Sequence, residues 1–257
     1  LFYYFKFLKV SNFKNCFLFG FFIAIATSSK SLALIVVFVF ILFFLLSCIS
    51  KKEFFLKNIK FYILGLSSYI IFTYLFWPYL WNDPIGNLIT SLKIYSDYPV
   101  KIHMLYNASY VRSDNLPWHY LFTWIGITTP VIYSIFFIFG YSIIVAKFSK
   151  KFLVVDIPKK EDDFWTDINE KFDLNIFILL TGVFFIVIKL NATLYTGWRH
   201  MFFVYPLIIY ISIFGLNKFY YYFNQHKKII LSLMIIYLIS ISYKMLLIHL
   251  MQNTYFN

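Results

Sequence analysis

Ser31–Ile49 reads SLALIVVFVFILFFLLSCI, nineteen residues without a charge, a proline or a glycine. A bilayer-spanning helix needs about 20 mainly apolar residues, and a buried core helix of a soluble domain is rarely so uniformly apolar. The stretch is therefore read as a membrane span, and the rest of the chain repeats its character. Of 257 residues 61% are hydrophobic, 24% aromatic and only 13% charged. Soluble domains carry about 25% charged residues, so a water-soluble globule is excluded. Low hydrophobicity and high charge define disorder, and neither holds here.

Working outward, seven candidate spans emerge: residues 13–29, 31–49, 61–81, 118–146, 174–190, 201–216 and 229–250. The predicted fold is all-α, a polytopic helical bundle forming one integral-membrane domain over 1–257. Residues 1–10 (LFYYFKFLKV) suit the tail of an earlier span or an interfacial helix. The chain opens on Leu rather than Met, and is expected to be an internal fragment lacking both termini. Cys16 and Cys48 fall in apolar runs, which suits buried thiols better than a disulfide framework.

The charge ledger tests the alternation. One face, side A, carries residues 1–14, 50–60, 147–173 and 217–228, and with them sixteen of the 23 basic residues, all lysine. Side B carries seven. The positive-inside rule makes side A cytoplasmic and side B external. The net charge of +12 is thus mainly a topological signal, not a nucleic-acid surface. The basic, tyrosine-rich 218–228 segment fits an aromatic belt with lysine anchors. Residues 147–173 suit a solvated connector with an interfacial turn at Phe164–Trp165.

Both arginines of the chain, Arg112 and Arg199, lie on side B. An arginine offers a planar fork matched to phosphate or carboxylate. In the external loop 82–117, Asn82-Asp83-Pro84 is a helix start, with Asp83 capping and Pro84 in the first turn. Ile85, Leu88, Ile89 and Leu92 then form an apolar stripe, predicting a short helix on the membrane surface. Pro117-Trp118-His119 opens the fourth span, and Gly197-Trp198-Arg199-His200 precedes the sixth. Each has an ordinary alternative: Asp83 as a cap, Trp118 and His119 as interfacial anchors, Lys30 as a loop lysine. Arg199-His200 is the strongest case, reading as an anion cradle for a lipid phosphate or pyrophosphate. Asn107-Ala108-Ser109 and Asn191-Ala192-Thr193 match glycosylation acceptors on side B, a weak pattern. The five histidines are isolated in sequence, the glycines are scattered and no Gly-x-Ser-x-Gly elbow occurs, so no metal, cofactor or nucleophile-elbow site is expected.

These side-B segments resemble multi-spanning C-type glycosyltransferases, in particular the bacterial branch of the protein mannosyltransferase-like and aminoarabinose transferase-like family. The resemblance is carried by Trp77–Pro84 (WPYLWNDP), Leu116–Tyr120 (LPWHY), Ile127–Pro130 (ITTP), Gly197–His200 (GWRH) with Tyr205-Pro206, and the Gly20–Lys30 hairpin, in order along nearly the whole chain. Tyr255-Phe256-Asn257 resembles the exit from the family's last span of this set. The resemblance implies transfer of a sugar from a polyprenyl-phosphate donor to an acceptor (protein, lipid or glycan) on the non-cytoplasmic face of the inner or plasma membrane. It implies an acidic base upstream of Leu1, so the fragment alone is expected to be inactive. Arg199, His200 and Lys30 would hold the lipid phosphate. Asp83, Trp118, His119 and Trp198 would shape the sugar or acceptor pocket. The alternative is a secondary transporter or flippase for an anionic or lipid-linked substrate, a class that favours broken helices and ionisable groups at mid-membrane.

Overall fold

The computed structural model describes residues 2–50, 52–96, 98–153, 167–194 and 197–247. Ten α-helices and one β-hairpin lie among them, so the fold class is all-α with a small antiparallel addition. The chain divides into two compact units, residues 1–101 with 154–193, and residues 102–153 with 194–257.

The first unit holds α1 (Phe2–Lys9), α2 (Phe13–Ser29), α3 (Leu34–Ser50), α4 (Lys52–Phe76), α5 (Pro84–Ser96) and α8 (Ile168–Lys189). Its centre is aromatic. Tyr4, Phe7, Phe19, Phe40 and Tyr62 are buried, with Phe19 and Phe40 rings 4.7 Å apart and Phe7 edge-on to Tyr62 at 4.9 Å. Offset and edge-to-face rings are the favoured geometry for such a core. The Tyr4 hydroxyl donates to Asn175 of α8, joining two buried polar groups. The opening helix α1 turns Tyr4, Phe7 and Leu8 into this core and leaves Phe2, Lys6 and Lys9 exposed.

Helix direction follows from the contacts. Ser68 donates its hydroxyl to the Phe17 carbonyl at 3.0 Å, and the Phe21 ring meets Phe72 and then Phe76 further along. Residue numbers rise together, so α2 and α4 are parallel. Phe40 and Phe44 of α3 both meet Tyr62, and Phe40 also approaches Gly65, so α3 runs the other way. In α8, Asn175 lies at Tyr4 and Gly182 at Ile35, so α8 runs with α2 and α4. The α2–α4 contact is made close by small residues: a Cβ on Gly20 would stand 2.6 Å from the Gly65 carbonyl and from Ser68 Cβ. Lipid supplies no hydrophobic drive between helices, so small residues that let backbones approach are the usual device.

The second unit repeats that device. It holds β1 (His103–Tyr106), β2 (Ser109–Arg112), α6 (Tyr120–Thr128), α7 (Val131–Leu153), α9 (Tyr205–Tyr222) and α10 (Lys227–Leu247). A Cβ on Gly140 of α7 would stand 2.9 Å from the Gly215 nitrogen of α9. Ser212 donates to the Tyr133 carbonyl at 2.9 Å, and Phe136 and Phe139 both meet the Phe219 ring. These helices are parallel too. By contrast α10 is exposed along its length, with Ile241 its one buried side chain.

Among the described residues, five helices are long and apolar enough to cross a bilayer: Ile59–Phe76, Val131–Lys150, Ile168–Lys189, Arg199–Tyr222 and Asn224–Leu247. Phe13–Ser29 and Ser31–Leu46 are apolar but shorter. Together with the apolar side chains left outside the core, this makes the chain an integral membrane protein.

The structure departs from the expectations at four places. The fourth span is not one helix from 118 to 146: α6 ends at Thr128, Thr129 is extended (φ −98°, ψ 130°), and α7 starts after Pro130. Proline has no N–H and drives the residue before it out of the helical region. The same chemistry ends α4 at Phe76, before Pro78, rather than at Trp81. Residues 147–173 are not simply a solvated connector. α7 continues to Leu153 and α8 begins at Ile168, where the Asp167 carboxylate accepts from the Glu170 N–H at 2.7 Å. Glu170, Lys171 and Asp173 are buried. The turn expected at Phe164–Trp165 lies outside the described residues, as do Tyr195, Thr196 and Tyr255–Asn257. Finally, the external loop contains a hairpin, with register His103↔Arg112 to Tyr106↔Ser109.

Candidate functional site

The candidate residues for chemistry divide between the units. In the first, Lys30 follows α2 and Asp83 follows α4. Because those helices are parallel, both residues emerge at the same end of that unit. Lys30 is half-buried in the tight link to α3, its N–H bonded to the Ala26 carbonyl at 2.8 Å. Burial lowers its ammonium below the usual lysine range. Ahead of it Thr27, Ser28 and Ser29 each turn their hydroxyls back to carbonyls four residues earlier. Asp83 is exposed and caps α5, its Oδ1 accepting from the Gly86 N–H at 2.9 Å. The short loop before it is held by Trp81 Nε1 donating to the Tyr74 carbonyl at 2.7 Å and Asn87 donating to the Tyr79 carbonyl at 2.5 Å. Along α5, Ile85, Ile89 and Leu92 stand exposed.

The second unit draws three distant segments together: the hairpin, α6 and the 197–204 segment. Trp198 is 5% exposed and donates its indole N–H to Thr128 Oγ1 at 2.7 Å, across seventy residues of sequence. Its ring packs on Phe202 at 4.9 Å and Tyr205 at 5.8 Å. Gly197 has φ +71°, a conformation glycine adopts without cost, and a Cβ there would press on the Trp124 ring at 3.3 Å. The Tyr120 hydroxyl lies against the Gly197 backbone N–H and the Trp124 indole. Trp198 is thus a clamp that seats the 199–204 segment on α6.

From that clamp Arg199 and His200 enter a 3-10 turn, Arg199–Val204, before α9 begins at Tyr205. Pro206 explains the change of helix type. It fits the first turn of an α-helix but would clash with a carbonyl four residues earlier if the α-helix began sooner. Arg199 is exposed and His200 half-buried. The other arginine is committed elsewhere: Arg112 grips Asp114 with two bonds, Nε to Oδ1 at 2.9 Å and Nη2 to Oδ2 at 2.5 Å. That carboxylate raises the Arg112 pKa.

At the start of α6, Trp118 is 68% exposed and His119 is exposed beside it, their rings 5.6 Å apart and nearly perpendicular. His119 Nδ1 lies 2.8 Å from the hydroxyl of Tyr106, which also meets Thr123 Oγ1 at 3.0 Å. Tyr106 is 8% exposed and packs against Tyr120 at 4.9 Å. Nothing in the sequence singled out Tyr106, one of 22 tyrosines. It acquires its place through the hairpin, whose turn carries Asn107 and Ala108 at φ 50° and 59°.

The second unit therefore joins Trp198, Arg199 and His200 to the α6 that carries His119, while Lys30 and Asp83 belong to the first. Among the described residues no cluster of His, Cys, Asp or Glu has the makings of a metal site. The charged and hydrogen-bonding side chains suit binding of an anion and of hydroxyl groups. Comparison of the chain with protein-family models, curated proteins and solved structures finds no match.

Proposed function

We propose that the chain belongs to a membrane glycosyltransferase that moves a sugar from a polyprenyl-phosphate donor to an acceptor on the non-cytoplasmic face. The observation that carries this is the Trp198–Thr128 clamp. It ties the Gly-Trp-Arg-His segment to α6, whose first turn follows Pro-Trp-His, two of the segments on which the resemblance to C-type glycosyltransferases rests. Arg199 and His200, neighbours in the second unit, would hold the lipid phosphate. Trp118, His119 and Trp198, all of the second unit, would shape the sugar or acceptor pocket. Departure of a sugar leaves a phosphate with added negative charge, and cations aimed at it stabilise the transition state.

In this reading seven crossings alternate, side A is cytoplasmic, and α5 lies on the outer membrane surface with its exposed isoleucines in the headgroup region. The parallel directions of α2, α4 and α8 in one unit, and of α7 and α9 in the other, agree with that alternation. The membrane is the inner or plasma membrane.

The test is release of polyprenyl phosphate from a labelled lipid-sugar donor by the complete protein. Arg199→Ala should reduce release by about 10²-fold or more, as removal of one transition-state charge contact does, with membrane insertion unchanged. Unchanged release would remove Arg199 from the site. A secondary transporter or flippase is the second reading. It is favoured by the break between α6 and α7, since transporters build substrate sites from interrupted helices. Movement of the lipid-sugar or another anion across the bilayer without release of polyprenyl phosphate would select it.

A further inference from the structure

We propose that Trp118 and His119 form a subsite for a sugar ring, in which His119 presents a bare Nε2 to accept a hydrogen bond from a sugar hydroxyl. The inference rests on the glycosyltransferase reading and assigns its sugar-binding atoms.

The protons of two hydroxyl groups, on Tyr106 and Thr123, decide the histidine's tautomer. Tyr106 Oη is 2.8 Å from His119 Nδ1 and 3.0 Å from Thr123 Oγ1, while Thr123 Oγ1 is 3.1 Å from the His119 carbonyl. Each hydroxyl has one proton to give. Thr128, five residues along the same helix, shows how such a threonine spends it. The Trp198 indole can only donate, so Thr128 Oγ1 accepts there and sends its own proton to the Trp124 carbonyl at 2.6 Å. Thr27, Ser28, Ser29, Thr90, Ser91 and Ser142 also donate to the carbonyl four residues back. Thr123 therefore donates to the His119 carbonyl and accepts from Tyr106. The Tyr106 oxygen, its proton spent, accepts from His119 Nδ1–H. A neutral imidazole carries one N–H, so Nε2 keeps its lone pair.

A fixed acceptor on an exposed ring, next to an exposed indole, is a pairing with a definite ligand chemistry. Sugars offer hydroxyl donors around the ring and an apolar C–H face that packs on an aromatic surface. An interfacial tryptophan alone needs only the lipid boundary. It has no use for a histidine whose tautomer is held by a buried tyrosine and a helix threonine. Tyr106 and Thr123 are positioning residues in this scheme.

The test uses the full chain in lipid nanodiscs with ¹⁵N-labelled histidine, the His119 signals being assigned by their loss in His119→Asn. The expected wild-type spectrum has a protonated Nδ1 and a pyridine-like Nε2. Thr123→Val frees the Tyr106 proton for Nδ1 and should move the N–H to Nε2. Tyr106→Phe should release the ring to the mixture of an unrestrained imidazole. A wild-type ring protonated at Nε2 overturns the proposal. Undecaprenyl phosphate and its glucosyl, mannosyl and aminoarabinosyl derivatives are then titrated in turn. At least one sugar derivative should shift Nε2 while the sugar-free lipid does not, and Thr123→Val should weaken that derivative about tenfold, the value of one hydrogen bond. Sugar-lipid binding with no movement of Nε2, or an equal shift by the sugar-free lipid, overturns the subsite and leaves the donor reading standing. Failure of all four lipids to bind overturns the donor reading and the subsite with it, whatever the tautomer.

Discussion

Lys30 shows how little a residue's type says about its state. In sequence it is one of 21 lysines, set between two apolar runs. In the fold it is half-buried, and desolvation lowers its pKa. The consequence for stability has a definite sign. The folded pKa lies below the unfolded value of 10.5, so the unfolded chain binds the extra proton in the interval between them. Folding stability should therefore rise with pH across that interval. Denaturation in detergent at a series of alkaline pH values should show the rise in wild type and its loss in Lys30→Met. A Lys30→Met curve with the same slope would show that the ammonium is not desolvated. Asp83 is a residue whose type and spacing did declare its state: the Asp-Pro pair before an apolar stripe announced a capped helix, and the cap is made. Whether that carboxylate also meets substrate depends on contacts no local pattern encodes.

Among the elements, the two close parallel contacts carry the packing. Gly140 and Gly215 bring α7 and α9 together as Gly20 and Gly65 bring α2 and α4. Each was one scattered glycine in sequence, since the pairing is between helices and not along either. Gly140→Val should separate α7 from α9 at a cost of roughly 1–3 kcal/mol, the range for overpacking. Gly126→Ala is the internal control, because a Cβ there meets nothing within 4 Å. Loss of thermal stability in the first variant and none in the second is the expected result in detergent. Equal behaviour of the two would mean that the α7–α9 contact is not tight. The hairpin was illegible for a different reason. Its two-residue turn uses Asn107-Ala108, and alanine is a poor left-handed residue, so the usual Asn-Gly signal was missing. The prolines, conversely, were visible, and Pro130 should have divided the fourth span. No charged residue falls in 120–146, so hydropathy alone hides the division.

For the whole molecule, hydropathy and lysine placement together predict which loops face which compartment. Single cysteines introduced at residues 57, 101, 150 and 227, in a chain lacking Cys16 and Cys48, should divide in labelling by a membrane-impermeant maleimide added from outside. Position 101 should react in intact cells, and the other three only after permeabilisation. Labelling of position 57 or 150 from outside would reverse or break the alternation.

Sequence by itself determined that this chain lives in a membrane and which segments carry the basic charge. Those properties are sums over windows of twenty residues, and a window is all that the hydrophobic effect and the positive-inside rule need. Only the tertiary structure decided that Trp198 would clamp Thr128, that Arg112 would be spent on Asp114 while Arg199 stays exposed, and that Tyr106 would orient His119. A hydrogen bond acts over about 3 Å between atoms whose distance in the chain is arbitrary. Such pairings exist only once a bent fourth span and a short hairpin have brought the segments together.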